Sequence, residues 1–184
     1  FARVITRTWW MDAAEQVPFL ESVCEEVGAV TDIPPGGVIL SGILPPPAGV
    51  SEALEGAGLA IAGNDIASMY RAYGRMPETA VDPGDYYHRF YRDHFPCPTL
   101  LYSADRRLDA LFELARERRA SGVVFIGEKF CEYEYFEFPF LEDRLKAEGI
   151  ASLQLEIAME DTSISALRTR IEAFAEMTAE MQNR

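Results

Sequence analysis

The sequence predicts an α/β fold: a four-stranded, mainly parallel sheet of Rossmann or flavodoxin-like type, with helices on both faces and an N-terminal helical arm. Three observations predict it. Short apolar runs recur at Val38–Leu40, Leu59–Ala62 and Val123–Ile126, a length and composition suited to buried strands, and Ser152–Ile157 reads as a fourth strand. Stretches with apolar residues at helical spacing lie between them. Strand and helix alternate from Val38 onward, the pattern of a parallel sheet covered on both sides. The chain has 184 residues, 48% of them hydrophobic, enough for one such core with an added piece. The expected division is a helical arm or linker over residues 1–35, following a preceding domain, and an α/β domain over residues 36–184.

In chain order, Asp12 followed by Glu15 reads as a capping box opening the arm's helix. Val17, Leu20, Val23, Cys24 and Val27 then recur at helical spacing, and Pro18 kinks that helix or marks its first turn. Cys24 lies on the apolar stripe and is expected to be a packed core thiol. Trp9 and Trp10 are expected to be exposed unless a preceding domain or a partner subunit covers them. Thr31–Gly37 has a linker's composition. Val38-Ile39-Leu40 is the first strand and runs into Ser41-Gly42, and Pro45-Pro46-Pro47 forces an extended exit.

Ser51–Leu54 fits a short helix. Leu59–Ala62 is the second strand, ending at Gly63-Asn64-Asp65, and Ile66, Met69, Tyr70 and Tyr73 fall in the helix after it. Met76–Pro98 holds turn residues and a helix rich in aromatic side chains. His88 and His94 stand six apart, the wrong interval for a metal pair on one helical face. Cys97 lies between Pro96 and Pro98, so its backbone is extended. Asp105–Ala120 is an amphipathic helix, with Leu108, Leu111, Phe112 and Ala115 on one face. Arg116, Arg118 and Arg119 near its end suit the helix dipole. The third strand follows, then a helix over Glu134–Glu148 stopped by Gly149, then the fourth strand. Asp161 or Thr162 caps a last helix whose stripe is Ile164, Leu167, Ile171, Phe174 and Met177.

A net charge of −13 argues against a nucleic-acid-binding surface. The apolar runs are too short to span a membrane, and no signal peptide is visible. Three scattered cysteines without a CxxC suggest a reducing, cytoplasmic setting. No glycine pattern matches a phosphate loop or a dinucleotide fingerprint, and there is no GxSxG elbow. Glu132, Glu134, Glu137 and Glu142 could supply paired carboxylates, but solvent-facing positions, or help to a helix N-terminus, are the simpler reading. Cys131 is the residue that stands out. It follows the third strand by a few residues, at the edge of a parallel sheet where ligands bind. Ser41 and Glu128 would lie near the same mouth, with no assigned role.

The segment GVVFIGEKFCEYEYFEFPFL, followed by AEGIASLQLEI and LRTRIEAFAEM, resembles the 2-hydroxyacyl-CoA dehydratase / benzoyl-CoA reductase subunit family. FPCP at Phe95–Pro98 and GVILSG at Gly37–Gly42 resemble further landmarks of that family. The resemblance implies an oxygen-sensitive enzyme of anaerobes built from two related subunits as a heterodimer. It implies a 4Fe-4S cluster held by three cysteines and an ATP-dependent activator protein that delivers a low-potential electron. That electron forms a ketyl radical on an acyl-CoA substrate, which loses water or, in the reductase branch, has an aromatic ring reduced.

Cys131 matches the last cluster ligand, and the remaining ligands are expected outside this chain, which would then be the C-terminal portion of a subunit and inactive alone. Cys97 is not matched to a ligand, and Ala67 stands where many relatives carry a cysteine after the second strand. The alternative is a cluster-free scaffold or partner-binding domain derived from the family, with Trp9, Trp10 and the arm as its contact surface.

Overall fold

Four parallel strands in the order β2-β1-β3-β4 form the sheet in the computed structural model. They are β1 (Val38–Gly42), β2 (Ile61–Ile66), β3 (Gly122–Glu128) and β4 (Ala151–Ile157). The structure describes residues 4, 7–28, 35–74, 76–78, 82–93, 104–158 and 164–182. Every strand pairing is parallel, so the predicted α/β architecture is the one observed. Two units separate, residues 1–33 and residues 34–184.

In the larger unit, β1 and β3 are the central strands, and apolar side chains on both faces explain why they bury so completely. One face carries Val38, Leu40, Val124, Ile126, Leu153 and Leu155, packed with Val50 and Leu54 of α2 (Ala48–Gly56; α1 belongs to the arm, below) and Ile171 and Phe174 of α7 (Ser165–Gln182). The opposite face meets α5 (Ala104–Glu117) and α6 (Glu132–Ala147): Phe125 stacks on Phe138 with centroids 5.2 Å apart, and Leu111, Leu141 and Leu145 are fully buried. Burying each such side chain contributes roughly 1.5–3 kcal/mol. β4 is an edge strand, and its residues alternate between buried and open positions.

Several boundaries differ from the expectation. β2 starts later and runs through Gly63-Asn64-Asp65, which read as a turn. Asp65 has buried partners, described below, and its pairing with Ser41 of β1 continues the ladder. The helix after β2 is only α3 (Tyr70–Tyr73), and Ile66 closes the strand instead. The short helix at Ser51–Leu54 extends to Ala48–Gly56. Pro139 lies inside α6 at an exposed position, and Gly149 follows its end with φ +72, the left-handed conformation that glycine accepts. The aromatic-rich helix is α4 (Pro83–Asp93), with His88 exposed. His94, Cys97, the FPCP landmark and the Asp161 and Thr162 caps lie outside the described residues.

In the smaller unit, α1 (Ala13–Val27) forms as expected with Pro18 in its first turns. Two details correct the sequence reading. Asp12 is the N-cap but makes no side-chain cap bond; its carbonyl accepts from the N–H of Glu15 and of Gln16. Cys24 is exposed rather than a core thiol; no residue of α1 is buried, and of its stripe only Leu20 and Val23 are half-buried. Trp9 and Trp10 are exposed. No described helix is long and apolar enough to cross a membrane.

The strand order has a functional consequence. The chain steps from β1 out to β2 on one side, then returns past β1 to place β3 on the other. The connections diverge at the carboxyl ends of β1 and β3, which is where open parallel sheets form ligand crevices.

Candidate functional site

Cys131 stands at that edge. β3 ends at Glu128, Lys129 and Phe130 form a two-residue turn, and Cys131 is the N-cap of α6. The thiol is free, partly exposed, and makes no cap bond of its own. The backbone holds the turn closely. Cys131 N–H donates to the Glu128 carbonyl at 3.0 Å, Lys129 N–H donates to the Ile157 carbonyl at 2.8 Å, and the Cys131 carbonyl accepts from Glu134 N–H at 3.2 Å. Phe130 takes φ +69 and is 94% exposed. A left-handed, non-glycine residue with an exposed ring is unfavourable locally, so the surrounding bonds dictate the turn.

Behind Cys131 the carboxyl ends of β1 and β2 carry a buried polar network that the sequence reading did not find. Ser41 is fully buried; its hydroxyl donates to Asp65 Oδ2 at 3.1 Å and accepts from Arg107 Nη2 at 2.8 Å. The two residues are register partners on β1 and β2, which puts their side chains side by side on one face. Asp65 faces Arg107 Nη2 at 3.2 Å and Arg71 Nε at 3.4 Å. Arg71 also donates from Nη2 to the Gly42 carbonyl. Arg107 Nη1 lies 2.5 Å from Glu137 Oε2. Gly42 is required at this point: its φ is +155, and a Cβ there would meet the Ile126 carbonyl at 2.5 Å.

Glu132, Glu134, Glu137 and Glu142 were expected to face solvent or to favour a helix N-terminus; the structure buries Glu134 and Glu137 and leaves Glu132 and Glu142 exposed. Glu134 Oε2 accepts from the backbone N–H of Glu128 at 2.8 Å. Burial pushes the Glu134 carboxyl above the usual range, against the opposing pull of nearby backbone N–H groups, Arg107 and Arg71. Burial likewise raises Glu137, partly offset by Arg107. Tyr135 is pushed up to about 12, first by burial and then by Glu156 beside it.

A signal for these carboxylates was present: Glu134, Glu137, Phe138, Leu141 and Leu145 fall on one helical stripe. Arg107 similarly shares a stripe with Leu111 and Leu114. Charged residues on a buried stripe need partners, and here they supply one another.

Of the other residues considered, Ser41 lies inside this network and Glu128 brackets the turn, whereas Cys24 belongs to the other unit. Ala67 follows β2 and donates its N–H to the Gly42 carbonyl, so that rim position carries no thiol. Among the described residues no three His, Cys, Asp or Glu side chains come together as metal ligands. Among the described residues the rim presents one thiol, Cys131, and no complete donor set for an iron–sulfur cluster. A tetrahedral thiolate site wants more sulfur than the described part of this chain brings together.

The profile of the family described as 2-hydroxyglutaryl-CoA dehydratase, D-component, matches residues 1–178. The chain is 29% identical over 175 residues to the (R)-phenyllactyl-CoA dehydratase beta subunit of Clostridium sporogenes, covering 94% of this chain and 46% of that one. It is 26% identical over 185 residues to the beta subunit of (R)-2-hydroxyglutaryl-CoA dehydratase of Acidaminococcus fermentans, covering 95% of this chain and 48% of that one. It is 24% identical over 142 residues to the lactoyl-CoA dehydratase subunit beta of Anaerotignum propionicum, covering 76% and 38%. The chain thus spans about half the length, or less, of these relatives. The match runs through both units and takes in the strand, turn and helix that carry Cys131: the chain belongs to the 2-hydroxyglutaryl-CoA dehydratase D-component family.

Proposed function

We propose that this chain is the C-terminal α/β portion of an iron–sulfur subunit of a 2-hydroxyacyl-CoA dehydratase, with Cys131 as one thiolate ligand of a 4Fe-4S cluster. The observation that carries the reading is the partly exposed thiol of Cys131 at the carboxyl edge of a central parallel strand, on a helix N-terminus, in a chain of this family. The remaining ligands come from outside the described residues. When bound, the cluster would supply low-potential one-electron chemistry to an acyl-CoA, the route to a ketyl radical. The chain's own residues hold the ligand: Glu128 fixes the first turn of α6 through Glu134, and the buried Ser41–Asp65–Arg107–Glu137 network fastens the next turn to the ends of β1 and β2.

The beta-subunit names of the relatives support a heterodimer with a second, related subunit. An ATP-dependent activator would deliver the electron, in the cytoplasm of an anaerobe. Ring reduction of the benzoyl-CoA reductase kind is the other branch, and the dehydratase names of the relatives favour loss of water. A cluster-free scaffold is the second reading, favoured by the lack of a complete ligand set among the described residues.

The test is anaerobic purification of the full-length subunit with its companion, with iron and acid-labile sulfide measured. Iron and sulfide in the wild-type protein, lost in Cys131→Ala, support the ligand reading; iron-free wild-type protein supports the scaffold.

A further inference from the structure

The N-cap of a helix commonly uses its own side chain to bond the first free N–H groups. Cys131 does not. The work falls to the residue three positions on. Glu134 occupies the place from which a capping-box glutamate reaches back to the N-cap N–H. Here that N–H is already engaged with the Glu128 carbonyl at 3.0 Å. Glu134 instead reaches past it to Glu128 N–H at 2.8 Å.

Both backbone polar groups of Glu128 are therefore held by the helix: its carbonyl by Cys131 and its N–H by Glu134. Only Lys129 and Phe130 lie between these anchors, and the Phe130 ring packs on nothing that would hold the turn. Glu128 closes β3, so this carboxylate ties the first turn of α6 to a central strand at the point where the connections of β1 and β3 diverge. Glu134 is 2% exposed, a costly place for a carboxylate whose only task is to favour a helix start. Glu137, one turn further, fastens the same side of the helix to Arg107.

We propose that Glu134 is a positioning residue for Cys131: its bond to the end of β3 sets where the thiol stands on the sheet's rim. The proposal rests on the reading of Cys131 as the functional thiol, but its test needs neither iron nor turnover. The metal-free, reduced full-length subunit is treated with iodoacetamide, and alkylation of Cys131 is followed by peptide mass spectrometry. Exposed Cys24, in the other unit, is the internal reference.

Glu134→Ala should free the turn and raise the Cys131 rate relative to Cys24 by roughly threefold or more. Glu134→Gln, which keeps one carbonyl to accept a backbone N–H, should restore part of the wild-type ratio. Leu145→Ala, a fully buried change near the far end of α6, is the control for general destabilisation and should leave the ratio unchanged. A wild-type ratio in Glu134→Ala overturns the proposal, as does an equal change in Leu145→Ala. Should Glu134→Ala fail to fold, Glu134→Gln decides: a changed ratio supports the proposal and a wild-type ratio overturns it. Iron analysis of the wild-type protein is independent of these rates, so failure of the ligand reading is distinguishable from failure of the positioning role.

Discussion

At the scale of single residues, the site depends on charges that cannot be removed one at a time. Arg107 bonds Ser41, Asp65 and Glu137 at once, almost wholly out of water. Truncating one partner of a buried ion pair leaves the others unpaired and typically costs 3–5 kcal/mol. Arg107→Leu is therefore expected to lose roughly that much stability in chemical denaturation; a loss below about 1 kcal/mol would show that water replaces the guanidinium freely. Glu137 gives a pH test. Its carboxyl is raised by burial, so the folded protein binds that proton more tightly than the unfolded chain. Its contribution is fully present below the ordinary carboxylate pKa and is lost as pH rises through the raised value. Glu137→Gln should flatten that part of the stability–pH curve relative to wild type; parallel curves would contradict the raised carboxyl. Gly42→Ala joins a positive φ to a contact with the Ile126 carbonyl, and an unfolding cost of roughly 1–3 kcal/mol is expected from denaturant melts.

At the scale of elements, what could be read beforehand followed from composition and period. β1 and β3 were legible because their short apolar runs have few other uses, and β4 because its apolar and polar residues alternate. β2 was misplaced because Gly63-Asn64-Asp65 has the chemistry of a turn, and its buried aspartate is made tolerable by Ser41, by Arg71 six residues on and by Arg107, distant in sequence. Cys131 was legible by its place after a strand, whereas Glu134 and Glu137 were masked by the general rule that glutamates face water. Cys24 shows the converse: an apolar stripe at helical spacing indicates a face to be covered, and among the described residues of α1 none is buried. Native-state hydrogen exchange can check this ordering of elements. Amides of β1 and β3, paired on both sides and buried, should exchange slowest, and those of α1 much faster. Equal protection of α1 and β3 would contradict it.

At the scale of the whole molecule, a chain with net charge −13 buries Arg71 and Arg107 together with Asp65, Glu134 and Glu137, so the network removes charges of both signs and the acidic character stays on the outside. The sheet brings the ends of β1, β2 and β3 together beside α5 and α6 and sets one thiol on the rim, and the family match extends over a chain about half as long as its relatives. The central claim is that this thiol binds iron. Its most direct test is differential alkylation of Cys131 in the anaerobically isolated full-length subunit, before and after iron is stripped by a chelator, with Cys24 as reference. Cys131 should be protected as isolated and become reactive once the iron is gone, while Cys24 reacts equally in both. Equal reactivity of Cys131 before and after stripping would contradict the claim.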